Sequence, residues 1–157
     1  MIVEYISKEP DNTIDLGIRL GRSLTGGELI LLNGDLGSGK TLFTKGIAEG
    51  LLIDDPSMVV SPSFTLVNIY QARLDIVHVD LYRLDSDEVW ELGLEDYMNK
   101  EHIMVVEWAD RAKDFFKGRI IEVIIEYQGE FSRKFLMKTS IPWVKIDTLC
   151  TTSAKTI

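Results

Sequence analysis

An α/β architecture is what this sequence predicts: a three-layer fold with a mostly parallel central sheet and antiparallel strands at the sheet edge. Three observations predict it. The run Glu28-Leu29-Ile30-Leu31-Leu32-Asn33 is continuously apolar in its middle, as in a strand buried on both faces, and leads through a glycine-rich turn into a segment of helical periodicity. Short apolar runs then alternate with helix-like segments through the middle of the chain, the pattern of βα units. Near the end, 119–127 and 131–139 alternate charged and apolar residues around Gln128-Gly129-Glu130, which suits an antiparallel pair with one wet face.

Each element follows from its own spacing. Residues 12–24 carry Ile14, Gly17, Ile18, Gly21 and Leu24 at helical intervals, with Asp11, Asn12 or Thr13 available to cap the start. The two glycines cost helix propensity but permit close packing. Gly26-Gly27 breaks the chain before the first buried strand. Residues 40–52 return to helical spacing through Leu42, Phe43, Ile47, Ala48 and Leu51, and the polar stretch to Ser57 with Pro56 ends that helix. Phe64 to Tyr70 and Leu74 to Asp80, rich in branched and aromatic residues and only a few residues apart, predict a hairpin or two adjacent strands. Asp85 to Met98 reads as a helix with Gly93 as its candidate break, His102 to Glu107 as a short buried strand, and Trp108 to Phe116 as a helix. No repeat or linker divides residues 1–141, so one domain is expected there; the tail 142–157 has no clear period.

Composition narrows the classes. The chain has 157 residues, 45% of them apolar and 27% charged, within the range of an ordinary globular domain. A net charge of −8 sets the molecule as a whole against phosphate backbones, which disfavours stable nucleic-acid binding by this chain. Cys150 is the single cysteine, so no intrachain disulfide forms and a cysteine-based metal site is not expected. No run approaches a membrane span, and Glu4 and Lys8 interrupt any apolar leader, so the expected compartment is the cytoplasm.

The strongest motif is Gly34-Asp35-Leu36-Gly37-Ser38-Gly39-Lys40-Thr41, a full match to G-x-x-x-x-G-K-[ST] placed between a predicted buried strand and a predicted helix. Chance alone produces such a match in roughly one chain in two hundred of this length. Successive main-chain N–H groups in such a loop curl around phosphates, and the helix start adds partial positive charge. Nucleotide contacts are therefore expected from Asp35, Leu36, Gly37, Ser38, Gly39, Lys40, Thr41 and Leu42. Lys40 supplies a mobile ammonium to the β- and γ-phosphates, and the Thr41 hydroxyl can take one vertex of an octahedral Mg²⁺ shell. ATP and Mg²⁺ are the implied ligands of a P-loop NTPase-like fold. The loop does not separate hydrolysis from phosphoryl transfer to an acceptor.

Two strands end in acids able to reach that loop, because ligands of open α/β sheets sit beyond the carboxyl ends of the strands. Asp80 closes one and is the first choice for magnesium; Glu107 closes the other and could complete the shell or orient the attacking water. Lys40, Asp80 and Glu107 are the candidate catalytic residues, and Thr41, Asp80 and Glu107 the candidate metal ligands. His78 reads as a hydrogen-bonded core residue. Trp108 either flanks the nucleotide or packs as core. Glu122, Glu126, Arg133, Lys134 and Lys138 read as a solvated face. Guanine-specific GTPases carry D-x-x-G and N-K-x-D; here Asn99-Lys100-Glu101-His102 is the nearest approach, which leaves adenine favoured by elimination.

Taken together the motifs resemble the TsaE family, formerly the YjeE type, the small bacterial ATPases of tRNA threonylcarbamoyladenosine synthesis. The loop at 34–41 is similar to the family's GDLGAGKT, with Ser38 where alanine is common. Ser61-Pro62-Ser63-Phe64-Thr65 resembles its Ser-Pro-Thr-Phe switch, with Ser63 in place of threonine. His78, Asp80, Tyr82, Arg83 and Leu84 match its H-x-D-x-Y-R-L, Glu88 to Gly93 its E-x-x-x-L-G, and Glu107-Trp108 its Glu-Trp pair. The resemblance implies an ATPase with Thr41, Asp80 and Glu107 around magnesium and a γ-phosphate-sensing segment near 61–65. It also implies association with the TsaB–TsaD heterodimer, which would hold the tRNA and whose repeated turnover at tRNA position 37 the hydrolysis supports. Arg83 either stabilises transition-state charge in cis or anchors the loop. Two other readings of the same residues are a small-molecule kinase and a nucleotide-gated adaptor that does not require hydrolysis.

Overall fold

The computed structural model describes residues 2–142 and 144. Seven strands form one sheet: β1 (Ile2–Ser7), β2 (Leu29–Gly34), β3 (Val67–Tyr70), β4 (Asp75–Asp80), β5 (His102–Glu107), β6 (Ile120–Tyr127) and β7 (Arg133–Thr139), in the order β1-β7-β6-β2-β5-β4-β3. The pairs β6/β2, β2/β5 and β5/β4 are parallel, whereas β3, β7 and β1 join antiparallel. A parallel centre with antiparallel edges is the predicted arrangement. One stretch departs from prediction at the start, because no strand was expected at 2–7. β1 exists through its pairing with β7 at the far end of the chain, from Ile2 opposite Lys138 to Ser7 opposite Arg133, and nothing local to the segment signals that partner.

Two helices, α1 (Pro10–Ser23) and α2 (Lys40–Gly50), cover one sheet face. Leu16 and Leu20 of α1 and Phe43 and Ile47 of α2 are fully buried against Ile30, Ile103, Val123 and Phe135 of the sheet. Such burial contributes roughly 1.5–3 kcal/mol per large aliphatic or aromatic side chain. The helices cross through glycines on both sides. A Cβ on Gly17 would lie 2.9 Å from the Gly46 Cα and 2.6 Å from the Phe43 carbonyl oxygen, so the seam closes only without side chains there.

The opposite face carries a second core, in which Leu31, Val79, Met104 and Val106 meet Val89, Leu94, Phe115 and Phe116. This layer is less helical than predicted. Asp85 to Met98 contains only α3 (Ser86–Trp90), opened by a reciprocal Asp85–Glu88 capping box, and a 3-10 turn at Leu94–Tyr97. Gly93 separates them in the left-handed conformation (φ +69°), the break its identity suggested. Trp108 to Phe116 holds just a 3-10 turn at Ala109–Ala112, because the Asn33 side chain accepts the Asp110 N–H and pins the segment to the end of β2. Phe64 is not in a strand: the Leu66 N–H donates to the Pro62 carbonyl oxygen at 2.8 Å, and the turn so closed delays β3 to Val67. Apart from Pro142 and Val144, the tail 142–157 lies outside the described residues. Among the described residues, no helix is long and apolar enough to cross a membrane.

Candidate nucleotide site

β2 runs straight into the glycine-rich loop, and α2 begins at Lys40. Gly34 leaves no space for a side chain: a Cβ would meet the Ser38 hydroxyl at 2.6 Å and the Ile125 carbonyl oxygen at 2.7 Å. Gly39, just before the helix, takes φ +108°, a conformation that L side chains rarely adopt, and so lets the loop turn into the first N–H groups of α2. Within this loop the Lys40 ammonium donates to the Gly34 and Asp35 carbonyl oxygens at 2.7 and 2.9 Å and lies 4.3 Å from the centre of the Trp108 ring. Burial pushes the Lys40 pKa below its ordinary value, against the opposing pull of Glu107, Asp80, Asp35 and Asp110.

The acids arrive by strand register. β4 and β5 are parallel neighbours with Asp80 opposite Glu107, so both carboxylates emerge at the carboxyl ends of their strands beside the loop. Both are buried. Glu107 accepts the Thr41 hydroxyl at 3.2 Å through Oε1 and faces His78 Nε2 at 2.7 Å through Oε2. Asp80 accepts the Tyr82 N–H at 2.8 Å and the Ser61 hydroxyl at 3.2 Å. His78 is fully buried and hydrogen-bonded, in the position of a core residue but with a site carboxylate as its partner. Trp108, left-handed at φ +59°, turns its ring toward Tyr82 at a centroid distance of 4.8 Å while also facing Lys40.

These groups surround a cavity of about 350 Å³ lined by Leu36, Gly37, Gly39 to Leu42, Ser61, Ser63, Asp80, Tyr82, Glu107 and Trp108. Two expected contacts fall outside that lining. Ser38 is buried beneath the loop against Gly34, and Asp35 serves the loop through its carbonyl oxygen. Arg83 does not point its guanidinium into the lining; it stacks over Phe64, 4.5 Å from the ring centre, within the turn at 61–65.

Sequence reasoning missed the loop's supports on the other side. Tyr127 donates its hydroxyl to the Leu36 carbonyl oxygen at 2.9 Å, and Arg133 donates Nε to the Ser38 carbonyl oxygen at 3.1 Å while stacking on Tyr127. Arg133 therefore departs from the solvated-face reading. The available signal was topological: β6 runs parallel beside β2, so its last residue lies beside the loop that leaves β2.

The donor set fits a hard divalent cation. Thr41, Asp80 and Glu107 offer one hydroxyl and two carboxylates, all oxygen, on one cavity wall. Among the described residues, no group of three or more His, Cys, Asp or Glu forms a self-sufficient metal cage.

Comparison with known proteins follows the same residues. The family described as Threonylcarbamoyl adenosine biosynthesis protein TsaE matches residues 7–135. The tRNA threonylcarbamoyladenosine biosynthesis protein TsaE of Nostoc sp. is 42% identical over 143 residues, which cover 85% of this chain and 86% of the relative. The protein of the same description in Aquifex aeolicus is 39% identical over 115 residues (72% and 81% of the two chains), and that of Bacillus subtilis 38% over 109 residues (69% and 67%). A crystal structure of Bacillus subtilis YdiB superimposes with a TM-score of 0.75 at 26% identity, covering 96% of this chain and 92% of that one. The family match spans the phosphate loop, both strand-end acids and the turn between them, and by it this chain belongs to the TsaE family.

Proposed function

We propose that this chain is a magnesium-dependent ATPase of tRNA threonylcarbamoyladenosine biosynthesis, acting in the cytoplasm with a TsaB–TsaD heterodimer that holds the tRNA. The pathway is the one printed in the names of its relatives. One observation carries the enzymatic reading: Lys40 and Thr41 at the start of α2 converge with Asp80 and Glu107 on a single cavity. In this reading the loop amides and Lys40 bind the β- and γ-phosphates, and Thr41, Asp80 and Glu107 hold Mg²⁺. A bound magnesium ion supplies neutralisation of charge on the phosphate oxygens. In the same reading Glu107 orients a water for attack and Trp108 flanks the nucleotide. Adenine is favoured because the guanine-reading motif is absent from the sequence.

Phosphoryl transfer without a stabilising arginine is slow, so turnover by this chain alone is expected to be weak and the partner to raise it. The net charge of −8 supports leaving tRNA contact to that partner. The test is ATP hydrolysis by the purified chain with and without TsaB–TsaD, alongside Thr41→Ala. Inorganic phosphate should appear slowly, accelerate with the partner and fall sharply in the variant, whose fold is retained because a half-buried hydroxyl in the first turn of α2 contributes little packing. Equal turnover with and without the partner refutes the partner-stimulated reading. Transfer of labelled phosphate to a metabolite would establish a kinase instead.

A further inference from the structure

Behind Glu107 lies a chain of polar groups that reaches the main chain at Val60. His78 Nε2 is 2.7 Å from the Glu107 carboxylate, and His78 Nδ1 is 3.2 Å from the Tyr70 hydroxyl. That hydroxyl accepts the Val60 N–H at 3.3 Å and lies 3.1 Å from the Val60 carbonyl oxygen, so its single proton is shared between that oxygen and His78 Nδ1. Three of these groups are deeply inaccessible: His78 is 0% exposed, Glu107 3% and Tyr70 6%. Facing a carboxylate, which only accepts, Nε2 is the nitrogen that must carry hydrogen. The ring orientation is then fixed from behind by Tyr70, whose backbone belongs to β3, the edge strand paired with β4. One residue further along, Ser61 bonds Asp80 directly at 3.2 Å. The turn at 59–65 is thus tied to both strand-end acids, once through a hydroxyl and once through the Tyr70–His78 pair.

Resting on the reading of the site given above, we infer that His78 and Tyr70 are positioning residues: they fix the Glu107 carboxylate against Thr41 and couple its position to the main chain at Val60 and Ser61. Neither touches substrate. Their effect passes through Glu107, whose Oε2 faces His78 at 2.7 Å while the Thr41 hydroxyl reaches Oε1 at 3.2 Å and Oε2 at 3.5 Å, so loss of the imidazole frees the carboxylate to rotate away. The same link makes the turn at 59–65 respond to whatever holds Glu107 in place.

Three variants test this. Tyr70→Phe removes only the hydroxyl; His78→Gln retains an N–H donor near the Nε2 position; His78→Asn, being shorter, does not reach Glu107. Supporting partners of this kind typically contribute about 10–100-fold to metal affinity or activity. Turnover is expected to fall at least about tenfold in His78→Asn and severalfold in Tyr70→Phe, with His78→Gln recovering most of the loss. KM for ATP should move much less than kcat. Amide hydrogen exchange of 59–66 supplies a readout independent of turnover: wild type should gain protection on adding Mg-ATP or a non-hydrolysable analogue, and Tyr70→Phe should lose most of that gain. Thermal unfolding identifies any variant that fails to fold, and Tyr70→Phe, which keeps its buried ring, then decides the matter. Wild-type kcat and wild-type exchange protection in Tyr70→Phe overturn the inference while leaving the ATPase reading intact. If wild type itself binds no Mg-ATP, it is that underlying reading which fails.

Discussion

Replacing Gly17 by alanine tests whether packing far from the cavity controls its geometry. The added Cβ would lie 2.9 Å from the Gly46 Cα and the Ile47 nitrogen and 2.6 Å from the Phe43 carbonyl oxygen, where ordinary contact begins at 3.4 Å. All three obstacles are backbone, so no rotamer change relieves them, and restoring ordinary contact with the Phe43 carbonyl oxygen parts α1 and α2 locally by about 0.8 Å. Overpacking of this kind costs about 1–3 kcal/mol, while alanine for glycine within a helix returns about 1 kcal/mol. The net is a destabilisation of about 1 kcal/mol, which lowers Tm by roughly 2–4 °C in a chain of this size. The functional effect should exceed the thermal one. Thr41 sits in the first turn of α2, 3.2 Å from Glu107. Since a misplacement of about 1 Å at a reacting centre can cost about 100-fold, a shift approaching that size is expected to lower turnover by at least about tenfold. Thermal unfolding by circular dichroism and phosphate release measured on the same preparation check both parts. A Tm that rises by several degrees with unchanged turnover would show slack at the seam and refute the argument.

The loop braces should act on nucleotide affinity rather than on folding: Tyr127→Phe removes one hydrogen bond to the Leu36 carbonyl oxygen, and at about 0.5–1.5 kcal/mol this weakens ATP binding about 2–10-fold. Arg133→Ala, losing both the bond to Ser38 and the stack on Tyr127, should weaken it further, and calorimetric titration of ATP orders the two variants. Lys40 gives a pH signature. Its folded pKa lies below the ordinary 10.5, so between the two values the unfolded chain binds more protons and the Lys40 contribution to ligand-free stability rises with pH. Phosphate binding, which needs the ammonium, should weaken over that same alkaline window. Lys40→Arg, charged throughout, should remove both slopes, and denaturant titrations and ATP affinities at a series of alkaline pH values provide the comparison.

Much of the sheet was legible because its strands carry local signals. The apolar run before Gly34 and the run ending at Glu107 are buried on both faces, and β6 and β7 show alternation; each pattern survives in the structure. The predicted glycines of α1 meet their counterparts on α2. Segments without a strong period fared differently. Asp85 to Met98 and Trp108 to Phe116 were too short and too interrupted for periodicity to distinguish a helix from successive turns, and in both cases single contacts, a capping box and the Asn33 bond to the Asp110 N–H, set the outcome.

The sequence by itself determined the phosphate loop, the helix that follows it and the acids that end two strands, because each is written within a few consecutive residues. Only the tertiary structure decided that Asp80 and Glu107 stand side by side, that His78 serves Glu107 from behind, and that Tyr127 and Arg133 hold the loop from the far hairpin. Those relations depend on strand order and register, which arise from pairing between distant segments and leave no mark on either segment alone.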